Sequence, residues 1–145
     1  MDALALLQAE SACRNLIVSA AQAVDQQDYE AFVALFAVDA TLVRPGGHVL
    51  RGHSEILAAY TSKPANRITH HLVCNHQVRI TGSNTAESRC KVLLYASDKT
   101  RELTPQGRLA DPTHQVGVMQ DTLIQTAQGW RIQHRQAWFE VFSST

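Results

Sequence analysis

Paired cysteines are missing from this sequence. Its three cysteines, Cys13, Cys74 and Cys90, lie far apart, and no two of them form a C-x-x-C spacing. An odd and dispersed set argues against a disulfide framework and indicates a reducing compartment. The first residues also lack the basic segment and continuous apolar core of a secretory signal. The sequence therefore predicts a cytoplasmic protein.

Long apolar runs and an excess of one charge are missing too. No run approaches the roughly 18 apolar residues that a membrane-spanning helix needs. The 13 basic residues are balanced by 13 acidic ones, so no overall field draws the chain to nucleic acid or to an anionic membrane. We therefore expect neither a nucleic acid nor a membrane as partner.

The local motifs of common cofactor and metal sites are absent as well. There is no G-x-S-x-G elbow, phosphate-binding loop or dinucleotide fingerprint, so we expect no cofactor. The seven histidines include no H-x-x-x-H pair, and the cysteines include no C-x-x-C pair. Since zinc sites usually contain close ligand pairs, we expect no metal site.

The first part of the chain has the periodicity of helices. Its 145 residues fit one domain, residues 1–145. Residues 3–26 contain no Gly or Pro and carry an apolar stripe at three- and four-residue steps that ends at Val24. Asp28 is placed to cap a second helix that extends to Phe36, and Ser54 to cap a short third helix that carries Tyr60.

The second part has the period of β-strands. Two short runs, 41–44 and 48–51, flank a Pro-Gly-Gly turn, and alternation then predicts four long strands near residues 68–80, 85–96, 114–126 and 130–142. Residues 97–112 are polar and contain two prolines, so we expect a long, mobile loop. Helices followed by a meander of long strands indicate an α+β architecture.

One acid and two histidines stand out as candidates for chemistry. Asp25 follows the apolar stripe at the end of the first helix, where an acid is unfavourable for the helix dipole and needs another reason. His70 and His71 are neighbours on a strand, so their side chains point to opposite faces. Parity alone does not choose between the two histidines. An acid beside an imidazole would make an acid–base pair.

Several segments, in order, carry a family resemblance. They are "VDQQDYEAFVALFAVDATL", "GHSEI", "HHLVCN", residues 117–121 and "TAQGWRIQHRQAWFE". Together they resemble SnoaL-like domains of the nuclear-transport-factor-two-like superfamily, which includes scytalone dehydratase, ketosteroid isomerases, polyketide cyclases and small subunits of ring-hydroxylating dioxygenases. The resemblance implies a cone-shaped α+β barrel, with three N-terminal helices packed in a curved, mainly antiparallel sheet around one small-molecule pocket.

The resemblance also implies roles for individual residues. Asp25 and His71 match the active-site aspartate and a pocket histidine of the scytalone-dehydratase-like members. The second histidine, the asparagine and a tyrosine of those dehydratases correspond to Ala96, Met119 and Val24 here. Half of the dehydratase set is thus replaced, while a His–Asp dyad is retained. The pocket-lining residues that we expect are Val43, Tyr60, Tyr95 and Met119.

Three functions are compatible with this pattern. The first is acid–base isomerase, dehydratase or cyclase chemistry on an apolar, oxygenated compound of aromatic or polyketide type, with Asp25 and His71 as catalytic residues. The alternatives are a non-catalytic subunit that assembles with a larger dioxygenase chain, and a ligand-binding domain without turnover. A fold of this kind hosts unrelated functions, so the resemblance does not choose among them.

Two further expectations concern the last strands. Apolar side chains occupy both parities there, which predicts a homodimer built on the outer sheet face. Arg131 and Arg135 share one parity, and three roles remain open for them: holding an anionic ligand, facing solvent, or pairing across strands with an acid such as Asp121.

Overall fold

The computed structural model of the protein describes residues 1–144. The chain forms three helices and six strands: α1 (Ala3–Asp25), α2 (Tyr29–Ala34), β1 (Phe36–Val43), β2 (Val49–Arg51), α3 (Gly52–Thr61), β3 (Arg67–Ile80), β4 (Thr85–Asp98), β5 (His114–Thr126) and β6 (Gly129–Ser143). None of the helices within residues 1–144 is both long and apolar enough to span a membrane.

The six strands form one curved sheet in the order β2-β1-β6-β5-β4-β3. Strands β3 to β6 make the predicted antiparallel meander, and β1 joins its far side parallel to β6. Because β2 and β3 remain at the two edges, the sheet curls around the helices without closing. The α+β prediction and the cone-shaped fold are confirmed.

The core lies between the helices and the concave face of the sheet. The buried stripe of α1 contains Cys13, Leu16, Ile17, Ala20, Ala21 and Ala23, as its periodicity predicts. An aromatic cluster continues the core at the α2–α3 side. There the centroid of the Phe32 ring lies 4.7 Å from that of Tyr60 and 5.0 Å from that of Phe36. Replacing a buried phenylalanine of this kind with alanine lowers the free energy of unfolding by about 3–5 kcal/mol.

Two helix boundaries differ from the sequence prediction. Asp28 caps α2 as expected, since its carboxylate accepts the backbone N–H of Ala31 at 3.2 Å. The helix ends at Ala34, however, and Phe36 already belongs to β1, where it aligns with Ile132 of β6. The third helix begins at Gly52 rather than after a Ser54 cap, with the carboxylate of Glu55 accepting the backbone N–H of Arg51.

A β-bulge in β3 changes which side chains face the core. The register with β4 shifts between Cys74 and Gln77, and Asn75 there has a left-handed backbone with φ of 49°. Val73 faces the core before the bulge, whereas Val78 faces it afterwards. A single alternation through the whole strand is therefore wrong, because the extra residue reverses its parity.

The segment between β4 and β5 is tied to the sheet at its far end. The Asp111 carboxylate lies 2.8 Å from both the Arg67 and the Arg101 guanidinium groups, and its backbone N–H donates to the Ala96 carbonyl. The hydroxyl of Ser97 donates to the carbonyl of Leu109 at 2.7 Å. The expected mobility of residues 97–112 stays a prediction.

The end of β6 exposes apolar side chains. Val141 is 60% exposed and Phe142 is 72% exposed. Such residues are compatible with an interface on the outer sheet face. The homodimer stays a prediction.

Candidate active site

The end of α1 is fixed against the beginning of β3. After Asp25 the chain turns through Gln27, which has a left-handed backbone with φ of 58°. The side-chain amide of Gln27 donates to the carbonyls of Ala65 and Arg67 at 3.2 and 3.0 Å. These bonds join the helix end to the start of the strand that carries both histidines.

Asp25 and His71 are in direct contact, although 46 positions separate them. Asp25 Oδ1 lies 2.6 Å from His71 Nδ1, and Asp25 Oδ2 accepts the backbone N–H of His71 at 2.8 Å. The hydroxyl of Thr69 donates to Asp25 Oδ1 at 3.0 Å. The carboxylate thus receives three hydrogen bonds from two residues of β3, which fixes its orientation.

These bonds also set the charge of the acid. Burial by itself would raise the pKa of Asp25, but the hydrogen bonds from His71, the charge of His71 and the Thr69 hydroxyl outweigh it and hold that pKa below its ordinary value. Asp25 is therefore an anion at neutral pH. An anion there favours a proton on the facing nitrogen, Nδ1 of His71.

The imidazole of His71 presents its other nitrogen away from Asp25. With Nδ1 directed at the carboxylate, Nε2 is left as the acceptor of a neutral ring, and no residue within 1–144 hydrogen-bonds to it. His71 lines a cavity, whereas Asp25 lies behind the imidazole and is not part of the cavity wall. His70 is exposed to solvent on the opposite face. The structure thereby makes the choice that strand parity left open.

The cavity is small and mainly apolar. Its volume is about 350 Å³, at the lower end of the range of about 300–1,000 Å³ for small-molecule sites. Helices α1, α2 and α3 close one side, and strands β1, β3, β4, β5 and β6 close the other. The apolar wall includes Ala20, Ala21, Val24, Phe32, Leu42, Val92, Leu94 and Met119.

Two of the four expected lining residues face this cavity. Tyr60 and Met119 line it, but Val43 and Tyr95 do not, and their chain neighbours Leu42 and Leu94 take those places. Tyr95 is instead 40% exposed and its ring lies 4.2 Å from the His114 ring. The expectation for Val43 and Tyr95 is wrong by one residue in each strand, and neighbouring residues of a strand face opposite sides of the sheet.

A buried ion pair, Asp121–Arg135, forms another part of the cone interior. Arg135 Nε and Nη2 donate to the two carboxylate oxygens of Asp121 at 2.7 and 3.1 Å. Burial by itself would lower the pKa of Arg135, but the charge and hydrogen bonds of Asp121 hold it above its ordinary value. Of the roles left open for Arg135, pairing with Asp121 is the one observed, and the side chain also reaches the cavity wall.

The remaining reactive groups do not form a second centre in the part of the chain described. Residues 1–144 contain no group of three or more His, Cys, Asp or Glu side chains arranged to hold a metal ion. Burial raises the pKa of the Cys13 and Cys90 thiols to about 11. Both thiols are therefore protonated and poor nucleophiles at neutral pH.

Sequence comparison assigns the family. The sequence model of the SnoaL-like domain family matches residues 5–136, nearly the whole chain. The chain belongs to the SnoaL-like domain family. No curated protein matches the sequence significantly.

Solved structures with the same fold include proteins named for different chemistries. A candidate aromatic ring hydroxylase from Novosphingobium aromaticivorans shares 22% identity at a TM-score of 0.77, covering 96% of this chain and 94% of its own. A candidate scytalone dehydratase from the same organism shares 17% identity at a TM-score of 0.78, and the match covers 93% of this chain and 86% of its own.

A third structure extends this range of chemistries. A type 2 hexachlorocyclohexane dehydrochlorinase, LinA, shares 14% identity at a TM-score of 0.82, covering 99% of this chain and 93% of its own. At these identities the likeness shows the SnoaL-like fold, which is one that small-molecule enzymes use. The chemistry of this chain has to be argued from its own residues.

Proposed function

We propose that this SnoaL-like protein is a cofactor-independent acid–base enzyme, a lyase or isomerase, in which His71 is the base. The observation that carries the proposal is the arrangement of the imidazole: Nδ1 is 2.6 Å from the Asp25 carboxylate, and the ring lines an apolar cavity. This is the geometry of a general base held by an acid behind it.

The proposed step moves one proton. His71 Nε2 accepts the proton from a carbon next to a carbonyl group of the bound substrate, and the electron pair of the broken C–H bond forms an enolate. Where the substrate is β,γ-unsaturated, the enolate extends over its double bond, and the imidazolium returns the proton to the γ-carbon while the double bond moves into conjugation, which gives isomerisation. Alternatively, it protonates a β-hydroxyl group that leaves as water, which gives dehydration. Either route restores neutral His71 and needs no other reactant.

Asp25 has a positioning role in this proposal. Its carboxylate holds the ring by Nδ1 and stabilises the imidazolium that forms during proton transfer. Both side chains are partly shielded, with exposed fractions of 18% for Asp25 and 24% for His71. Their attraction is therefore stronger than that of a fully hydrated pair, because fewer water molecules screen it.

The apolar wall supports a proposal for the class of substrate. Alanine, valine, leucine, phenylalanine and methionine side chains form most of the cavity surface, which favours an aromatic or alicyclic carbon skeleton. The volume of about 350 Å³ suits a compound of one or two rings. A carbonyl oxygen on that skeleton would supply the acidity that proton abstraction needs.

Deuterium exchange tests the proposal without knowledge of the natural substrate. A panel of apolar ketones, with α-tetralone as the first probe, is incubated with the protein in D₂O and the loss of the α-proton signal is followed by NMR. The wild type should accelerate exchange, and His71→Ala should lower that acceleration by about two to four orders of magnitude.

His70→Ala is the matched control. It removes the same type of side chain from the next position of the same strand, but from the exposed face. Melting temperatures of both variants establish that they are folded. A folded His71→Ala protein that exchanges protons as fast as the wild type would exclude His71 as the base.

A further inference from the structure

Two cations that the acid–base proposal does not use line the part of the cavity wall that is accessible to solvent, which we call its mouth. Arg44 directly follows β1, Lys63 lies two residues after α3, and both line the cavity. The Lys63 Nζ atom is 4.2 Å from the centroid of the Tyr60 ring, and the Arg44 Cζ atom is 5.7 Å from it. The ring of Tyr60 therefore holds both cations at one side of the cavity.

Neither cation has an acidic partner in the described chain. No carboxylate of residues 1–144 lies within 4.0 Å of the charged groups of Arg44 or Lys63, and neither side chain makes a hydrogen bond there. Arg135, the third arginine or lysine of the cavity wall, is already paired with Asp121, and the imidazole of His71 contacts Asp25. The lining itself contains no Asp or Glu among these residues. Positive charge is thus left unbalanced at one place, the mouth.

The two charges also disfavour each other. Protein atoms packed around the Lys63 amino group remove part of its hydration and lower its pKa, and the nearby charge of Arg44 lowers it further, even though the side chain keeps accessible surface. Contact with an aromatic face offsets part of this cost. A bound anion would offset the rest, because it would interact favourably with both groups at once.

We propose that Arg44 and Lys63 form an anion subsite, and that the ligand of this cavity is a carboxylic acid with an apolar ring body. The carboxylate lies at the mouth between the two cations. The apolar body extends inward along Ala20, Phe32 and Val92, towards the imidazole of His71. This inference rests on the proposed function only in taking the cavity as a small-molecule site.

A pair of probes of nearly equal shape tests the subsite. trans-Cinnamate carries the carboxylate, and cinnamamide replaces it with an uncharged amide. Titration calorimetry on the full chain should show cinnamate binding about tenfold to hundredfold more tightly than cinnamamide, the range expected for charge-assisted hydrogen bonds. Raising the salt concentration should reduce this preference, since the mouth is open to solvent.

Substitutions of Lys63 and Arg44 test whether these two cations cause the preference for cinnamate. Lys63→Met and Arg44→Met keep apolar chain length and remove one charge each, and the double variant should bind both probes about equally. Lys91→Met is the control, because Lys91 is an exposed cation of β4 outside the cavity lining. Lys63→Gln, measured with its melting temperature, separates loss of charge from loss of fold.

The outcomes also separate this inference from the acid–base proposal. Equal affinity of the wild type for the two probes, absence of binding by both, or an unchanged preference in the folded double variant would each overturn the anion subsite. The α-tetralone exchange and its dependence on His71 are unaffected by those results. Conversely, the binding of cinnamate involves no proton transfer to His71, so a failed exchange experiment would leave the subsite standing.

Discussion

The cone interior contains two pairs of a carboxylate and a basic nitrogen, and they differ in what surrounds them. The shortest separations are nearly equal, 2.6 Å for Asp25–His71 and 2.7 Å for Asp121–Arg135. Asp121 and Arg135 are 0% and 5% exposed, whereas Asp25 and His71 are 18% and 24% exposed. Distance alone therefore does not distinguish a reactive pair from a structural one.

The chemistry of the two bases sharpens this contrast. The guanidinium of Arg135 uses two donors on Asp121 and does not lose its proton at any physiological pH. An imidazole can act as both a proton acceptor and a proton donor, and Nε2 of His71 is left for a ligand. One pair is thus suited to holding two strands together, and the other to moving a proton.

Removing the acid of each pair should affect stability very differently. Asp121→Asn leaves Arg135 buried without a counter-charge, so we expect it to lower the free energy of unfolding by about 3–5 kcal/mol. Asp25→Asn keeps an acceptor oxygen beside Thr69 and a partly accessible imidazole, and should cost about 1 kcal/mol. Urea unfolding at neutral pH measures both values.

Asp111→Asn serves as the control for that comparison. Asp111 also joins two arginines, Arg67 and Arg101, but at a partly exposed site where water screens the charges. Its replacement should cost about 0–1 kcal/mol. Equal losses for Asp121→Asn and Asp111→Asn would show that burial does not set the difference between the pairs.

Catalytic activity, in contrast to stability, should depend on the Asp25–His71 pair. Asp25→Asn should slow ketone exchange about tenfold to a hundredfold, less than His71→Ala, because it removes the charge behind the base and leaves the base in place. NMR exchange rates per folded molecule make the comparison, and Asp98→Asn, which removes an exposed acid, is the control. A rate unchanged in Asp25→Asn would reduce Asp25 to a structural residue.

The sequence predicts the fold well because local chemistry agrees with it. The apolar stripe of α1, the Asp28 cap and the alternation of β4 each reappear in the structure. The i+4 spacing of Phe32 and Phe36 predicts a helix that reaches Phe36, but pairing with β6 makes Phe36 the first residue of β1. Long-range pairing overrides local propensity at such boundaries.

The sequence alone predicts less of the site. Asp25 and His71 were joined by family resemblance, since their separation of 46 residues gives no local pattern. The bulge at Asn75 has no sequence marker that alternation could use, although it sets which later residues of β3 face inward. Leu94 rather than Tyr95 lines the cavity for a related reason: parity depends on which face of the strand the helices cover.

Acid should weaken the contribution of Asp25 to stability. Because the fold lowers the pKa of Asp25, the folded state favours the ionised acid, so the gain is fully present above the unfolded pKa of about 3.9 and is lost as pH falls through the lower folded value. Urea unfolding of wild type and Asp25→Asn between pH 5 and pH 3 should give a difference that shrinks as the pH falls below about 4. Asp98 and Asp111 also have lowered pKa values, but they titrate alike in both proteins and cancel in the difference. A difference that stays constant or widens between pH 4 and pH 3 would mean that the bonds from Thr69 and His71 do not favour the Asp25 anion.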